Sequence, residues 1–240
     1  MSNKFVLNTA VSYKDVDREE TLLLSSVFKL LQEAAIRHAN QFDTGTHAAI
    51  ARGESWVLNR LAVAFHRYPR HEESIQIETW STGVQGFRGY RDYRIFVGDE
   101  IAVSGSSLWL YIDLKTKSLI RVPAAIAESF PSIAGNVFEP GLDKFSVVPP
   151  GPASPACSVS LRYSDYDSNG HVNNTSYFDF LQTALVKNNL SPKPARLQVK
   201  FLKEIRPEIE AVKVNLETRA AETIFSISGE GAVYAEGQLT

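Results

Sequence analysis

Apolar residues recur at the spacing of one helical face in two separate stretches of the chain. The first holds Leu24, Val27, Phe28, Leu31 and Ala35, and the second Tyr177, Phe178, Leu181, Ala184 and Leu185. Each pattern predicts an amphipathic helix with a single buried face. After each helix the period drops to two, as at Leu61, Val63 and Phe65, or at Leu197, Val199 and Phe201. Strands are predicted over 56–66, 74–81, 87–97 and 101–113 behind the first helix. Behind the second they fall over 197–203, 212–218, 223–228 and 232–239.

The two halves are copies. A shift of 150 positions lays Tyr13-Lys14-Asp15-Val16-Asp17 on Tyr163-Ser164-Asp165-Tyr166-Asp167 without a gap through the helix that follows. Ser26, Phe28, Leu31, Gln32 and Ala34 then recur as Ser176, Phe178, Leu181, Gln182 and Ala184. A short strand, a helix and several strands, present twice, predict an α+β protein in which each half is an antiparallel sheet wrapped around a central helix. We expect a first domain over 1–122, a proline-rich crossover linker over 123–156 and a second domain over 157–240.

Composition narrows the function classes. The chain has 240 residues, 44% hydrophobic and 22% charged, enough for a full globular core. Its net charge of −2 lacks the basic footprint of a nucleic-acid binder. No apolar run approaches the roughly 20 residues that span a bilayer, and the N-terminus lacks a signal-peptide pattern, so a cytoplasmic location is expected, with no membrane partner. The single cysteine, Cys157, has no ligand-spaced neighbours and reads as a small buried strand residue. No metal site is expected.

The chemistry concentrates in Tyr163–Asn174, where carboxylates, amides and an imidazole precede the second helical pattern. A helix start offers unpaired N–H groups and a positive dipole end, suited to an oxygen that gains negative charge. Asp165, Asp167, Asn169 and Gly170 also sit where a calcium-binding loop has ligands and its glycine, but Ser176 replaces the closing glutamate and prolines replace the entering helix. The calcium reading is set aside. The first copy has Glu19, Thr21, Leu23 and Leu24 where the second has Asn169, His171, Asn173 and Asn174, so the chemistry is expected once.

The motif and the duplication together resemble the acyl-acyl carrier protein (acyl-ACP) thioesterases, a family with a double, tandem hot-dog fold. The second hot dog of that family carries an Asp-x-Asn-x-His-x-Asn-Asn signature, matched by Asp167, Asn169, His171, Asn173 and Asn174. Trp56-Val57 and Arg67-Tyr68-Pro69 are similar to elements of its first hot dog. A later Arg-Arg-Glu-Cys element of plant members aligns with Leu202-Lys203-Glu204-Ile205, so the carboxylate is kept and the thiol is not. The plant transit peptide is missing, which implies a bacterial-type member.

The resemblance implies an enzyme of fatty acid biosynthesis that hydrolyses fatty acyl-ACP to free fatty acid and carrier protein, with no cofactor. Asp167 or Glu204 is expected to activate water, with Asn169 and His171 orienting it and the thioester carbonyl. Backbone N–H groups near Asn173 and Asn174 are expected to hold the oxyanion. The absent thiol leaves water as nucleophile, and no Gly-x-Ser-x-Gly elbow offers a serine. The first hot dog is expected to take the acyl chain, with Val27, Phe28 and Leu31 as pocket candidates.

The expected partner is the acyl carrier protein with its phosphopantetheine arm, docking on basic patches drawn from Arg88, Arg91 and Arg94, or from Lys187, Lys193, Arg196, Lys200, Lys203 and Arg206. Strand alternation puts Arg88 and Arg94 on one face and Arg91 on the other. A duplicated chain completes its sheet internally, and exposed edges leave both monomer and homodimer open. The alternatives are a hot-dog acyl-coenzyme A thioesterase and a non-catalytic acyl-binding protein.

Overall fold

The structure, a computed structural model, describes residues 4–42, 45–129, 132–133, 141–151 and 154–240. Part of the expected linker, residues 130–131, 134–140 and 152–153, lies outside the described residues. The chain divides into two compact units, Met1–Leu23 with Val27–Lys144, and Leu24–Ser26 with Phe145–Thr240.

In the first unit β1 (Phe5–Ala10) leads through a 3-10 turn, Tyr13–Asp15, to the helix α1 (Leu24–Ala39), followed by a short α2 (Thr46–Ala51). Strands β2 (Glu54–Phe65), β3 (Ser74–Gln85), β4 (Arg88–Val97) and β5 (Glu100–Asp113) complete it, with antiparallel order β1-β3-β4-β5-β2. The sheet carries the alternation read from sequence: Leu61, Val63, Ile75, Ile77, Tyr93 and Ile95 are buried, as are Val27, Phe28, Leu31, Ala34 and Ala35 on the helix. Gly105 of β5 marks the approach of helix to sheet, because a Cβ there would meet Val63 at 3.2 Å and Leu31 at 3.9 Å.

The segment after β5 folds back onto this unit. Helix α3 (Ala124–Ser129) buries Ile126, which with Val122 packs on Tyr111, and Tyr111 in turn contacts Trp56 with ring centroids 4.8 Å apart. Leu142 packs on Ala62 and Leu108. Trp56 is thus scaffold, and so is the Arg67-Tyr68-Pro69 element. Arg67 grips Glu73 with two guanidinium nitrogens at 2.8 and 3.1 Å, Tyr68 stacks on Phe65 at 4.7 Å, and Pro69 accepts the N–H of Leu22 at 2.8 Å.

The second unit repeats the plan. Strand β6 (Ala156–Ser160), a 3-10 turn at Tyr163–Asp165 and helix α4 (Ser176–Lys187) precede β7 (Arg196–Phe201), β8 (Ala211–Arg219), β9 (Glu222–Gly229) and β10 (Ala232–Leu239). The order β6-β8-β9-β10-β7 is the same antiparallel sequence as in the first unit. Helix α4 packs against β6 and β8, burying Tyr177, Phe178, Leu181, Ala184 and Leu185. Cys157 is a buried residue of β6.

Arg91 leaves the expected basic surface. It faces α1, is buried, and donates to Nδ1 of His38 at 2.9 Å and to Oγ1 of Thr79 at 3.0 Å. A guanidinium only donates, so Nδ1 of His38 carries the lone pair and the imidazole stays neutral. Burial first, and the Arg91 charge second, hold the His38 pKa down at about 4.

Candidate active site

The loop between β6 and α4 is built on Asp165, a residue with no assigned role in the sequence reading. Its carboxylate is buried and accepts the backbone N–H of Arg162 at 2.7 Å and the Arg162 guanidinium at 2.8 Å. Its carbonyl accepts the N–H of Asn173 at 2.8 Å and the hydroxyl of Ser176 at 3.3 Å. One residue thereby ties both ends of the signature together. The Arg-x-x-Asp spacing was the available signal, since an i,i+3 side-chain pair closes a 3-10 turn.

Inside that frame Asp167 to His171 form a tight hairpin. The N–H of Asp167 donates to the carbonyl of His171 at 3.1 Å, and the N–H of Gly170 donates to the carbonyl of Asp167 at 3.1 Å. Gly170 takes φ +79°, the left-handed region where glycine carries no Cβ penalty. Val172 next donates to the carbonyl of Ile205 at 3.0 Å, while the Tyr177 hydroxyl donates to the carbonyl of Lys203 at 3.4 Å. These two bonds flank Glu204 and hold its segment beside the loop.

His171 then stands between two carboxylates. Its Nδ1 is 4.0 Å from Oδ1 of Asp167 and its Nε2 is 3.7 Å from Oε2 of Glu204. All three side chains are partly exposed. These separations are beyond direct hydrogen bonds and suit charge coupling or a bridging water. The other oxygen of Glu204 faces Nε of Arg206 at 3.4 Å, a second contact that sequence reading did not assign. Asn169 is exposed; its backbone N–H donates to Oδ1 of Asp167 at 2.8 Å, and its side chain makes no hydrogen bond among the described residues.

The two asparagines at the helix approach part ways. Asn173 has spent its N–H on Asp165 and turns its Oδ1 to the N–H and hydroxyl of Thr175, both at 2.9 Å, which is a turn-forming role. The N–H of Asn174 makes no hydrogen bond among the described residues. Helix α4 itself opens at Ser176, behind Thr175, later than the two asparagines.

The first unit holds the same hairpin in a closed form. Asp17 donates its N–H to Thr21 at 2.8 Å, and Glu20 sits at the turn with φ +60°. There, however, the Asp17 carboxylate is taken up by the N–H of Glu19 at 2.9 Å, the N–H of Thr21 at 3.0 Å and the hydroxyl of Thr21 at 2.9 Å. In the second unit an imidazole replaces that hydroxyl, and Oδ2 of Asp167 accepts no hydrogen bond among the described residues.

Val27, Phe28 and Leu31 are sealed in the core of the first unit, at most 2% exposed. They do not line the pocket of about 190 Å³ in that unit, which is bounded by Tyr90, Asp92 and Ser106 of the sheet and by Leu142 and Asp143. Among the described residues no cluster of three or more His, Cys, Asp or Glu side chains could hold a metal, and no helix is long and apolar enough to cross a membrane.

Residues 2–130 match the family model of the acyl-ACP thioesterase N-terminal domain, and residues 153–239 that of the C-terminal domain. A chloroplastic palmitoyl-acyl carrier protein thioesterase from Gossypium hirsutum is 25% identical over 191 residues, covering 74% of this chain and 46% of that protein. The chain spans about half the length of the curated relatives it matches. The crystal structure of an acyl-ACP thioesterase from Bacteroides thetaiotaomicron VPI-5482 superposes with a TM-score of 0.84 at 17% identity, covering 99% of this chain and 97% of that one. The 12:0-ACP thioesterase from Umbellularia californica gives 0.83 at 17%, covering 100% and 97%. The fold is the double hot dog.

Proposed function

The chain belongs to the acyl-ACP thioesterase family, and from that premise we propose that it hydrolyses fatty acyl-ACP to a free fatty acid and the carrier protein. The observation that carries the reading is His171 between Asp167 and Glu204 in the one copy whose hairpin carboxylate is not closed off by a threonine. Water is the nucleophile. One of the two carboxylates accepts its proton, and His171, standing between them at 4.0 and 3.7 Å, orients the water. Asn169 presents its free amide to the thioester, and the N–H of Asn174 is the available donor for the oxyanion.

The first unit, with its own hairpin closed, is left to receive the acyl chain. Its helix-facing Val27, Phe28 and Leu31 are packed together, so admitting a chain requires them to part. The carrier protein's acidic surface is proposed to meet exposed cations beside the site, Lys203 and Arg206, and not the buried Arg91.

Thiol release from a panel of acyl-ACPs and the matching acyl-coenzyme A thioesters tests this, with Asp167→Asn in parallel. Turnover of the carrier substrates that collapses in the variant is expected. Release from coenzyme A thioesters alone would replace the carrier protein as partner. No release from folded protein would sink hydrolysis and leave acyl binding.

A further inference from the structure

Asn169-Gly170 is the sole Asn-Gly pair in the chain, and it lies inside the site hairpin. We propose that Asn169 is a self-modification site, whose amide closes onto the backbone nitrogen of Gly170 and is lost as ammonia, turning the loop into an aspartyl or isoaspartyl form with a disabled site. The loss of turnover rests on Asn169 belonging to the proposed site; the chemistry does not.

Two features favour ring closure and a third restrains it only weakly. The Asn169 side chain is exposed and makes no hydrogen bond among the described residues, so its Cγ is free to rotate toward the following nitrogen. Gly170 has no side chain to shield its nitrogen, the atom that attacks, and beyond the two adjoining residues no heavy atom lies within 4 Å of where its Cβ would be. The Gly170 N–H is held by one bond, to the carbonyl of Asp167 at 3.1 Å, whose net strength is modest. That bond slows the reaction by favouring the closed turn without preventing its opening.

The steps balance. The deprotonated Gly170 nitrogen attacks Cγ of Asn169, the Cγ–Nδ2 bond breaks, and ammonia departs with the proton, leaving a succinimide. Water then opens the ring at either carbonyl to give aspartate or isoaspartate. The net exchange is water for ammonia, with no oxidant or cofactor. Isoaspartate lengthens the backbone inside a hairpin closed by two hydrogen bonds, which moves His171 relative to Asp167 and Glu204. Either product also adds a negative charge beside two carboxylates.

Gly170 is not demanded by the turn, because the first unit makes the same hairpin with Glu20 at φ +60°. That copy, with Glu19 and Glu20, has no amide to lose. The second unit therefore combines the reactive pair with the site.

The full chain is aged at mildly alkaline pH and 37 °C beside an unstructured peptide spanning 163–176, and sampled for peptide mass, isoaspartyl methyltransferase labelling and thioester turnover. Conversion at Asn169 ahead of every other asparagine, with turnover falling in proportion to the converted fraction, is expected, and Gly170→Glu keeps its amide. An intact amide at 169 while the peptide converts overturns the proposal. Conversion with turnover unchanged establishes the modification and removes Asn169 from the site.

Discussion

Nε2 of His171 lies 3.7 Å from Oε2 of Glu204, although the two residues come from separate segments, one before α4 and one after β7. Hydrogen bonds from the Val172 N–H to the carbonyl of Ile205 and from the Tyr177 hydroxyl to the carbonyl of Lys203 fix that approach. The imidazole is thereby shared between Glu204 and Asp167. His171→Ala should lower kcat for acyl-ACP by about 100-fold or more while leaving the fold intact. Steady-state thiol release together with far-UV circular dichroism checks both halves of that expectation.

The two carboxylates can be separated by amide substitution. Asp167→Asn and Glu204→Gln keep shape and remove the basic oxygen, so the base should lose at least about 100-fold in kcat and the orienting group less. Equal small losses in both variants, under about tenfold, would exclude a carboxylate base.

Asp17 is the internal control. It occupies the place of Asp167 in a hairpin closed by Thr21, so Asp17→Ala should weaken the turn by about 1–2 kcal/mol and leave turnover unchanged. Urea unfolding monitored beside activity distinguishes the two effects.

Asp165 is the keystone of the second hairpin. Removing its carboxylate in Asp165→Ala strands the N–H of Arg162 and frees an exposed guanidinium, at a cost of about 1–3 kcal/mol. Thermal melting should report that loss, and turnover should fall as well because the loop carrying His171 loosens.

Acid should destabilise the first unit through His38. Its folded pKa of about 4 lies below the ordinary 6.5, so the unfolded chain takes up the proton first. The stability present above pH 6.5 is lost as pH falls through this window and levels off below about 4. The total is on the order of 3 kcal/mol. Urea melts across that range should show the slope in the native chain and a reduced one in His38→Gln.

The sequence by itself determined the doubling, the α+β class and the family. Periodicity is a one-dimensional property: Val27, Phe28 and Leu31 are spaced for one helix face whatever lies opposite, and Leu61, Val63 and Phe65 alternate in the same way. The motif around His171 was equally visible, because its residues are neighbours in the chain.

What only the tertiary structure decided is which groups are already spent. Asp17 and Asp167 read alike, yet one is closed by a threonine hydroxyl and the other faces an imidazole. Asn173 and Asn174 read alike, yet Asp165 has taken the N–H of the first. Arg91 looked like a surface cation until α1 covered it. Glu204 and Arg206 read as unrelated groups, a candidate base and a docking cation, until the fold set one oxygen of Glu204 toward His171 and the other toward Arg206. A side chain has more potential partners than it can satisfy, and only the closing of the chain in space selects which bonds are made.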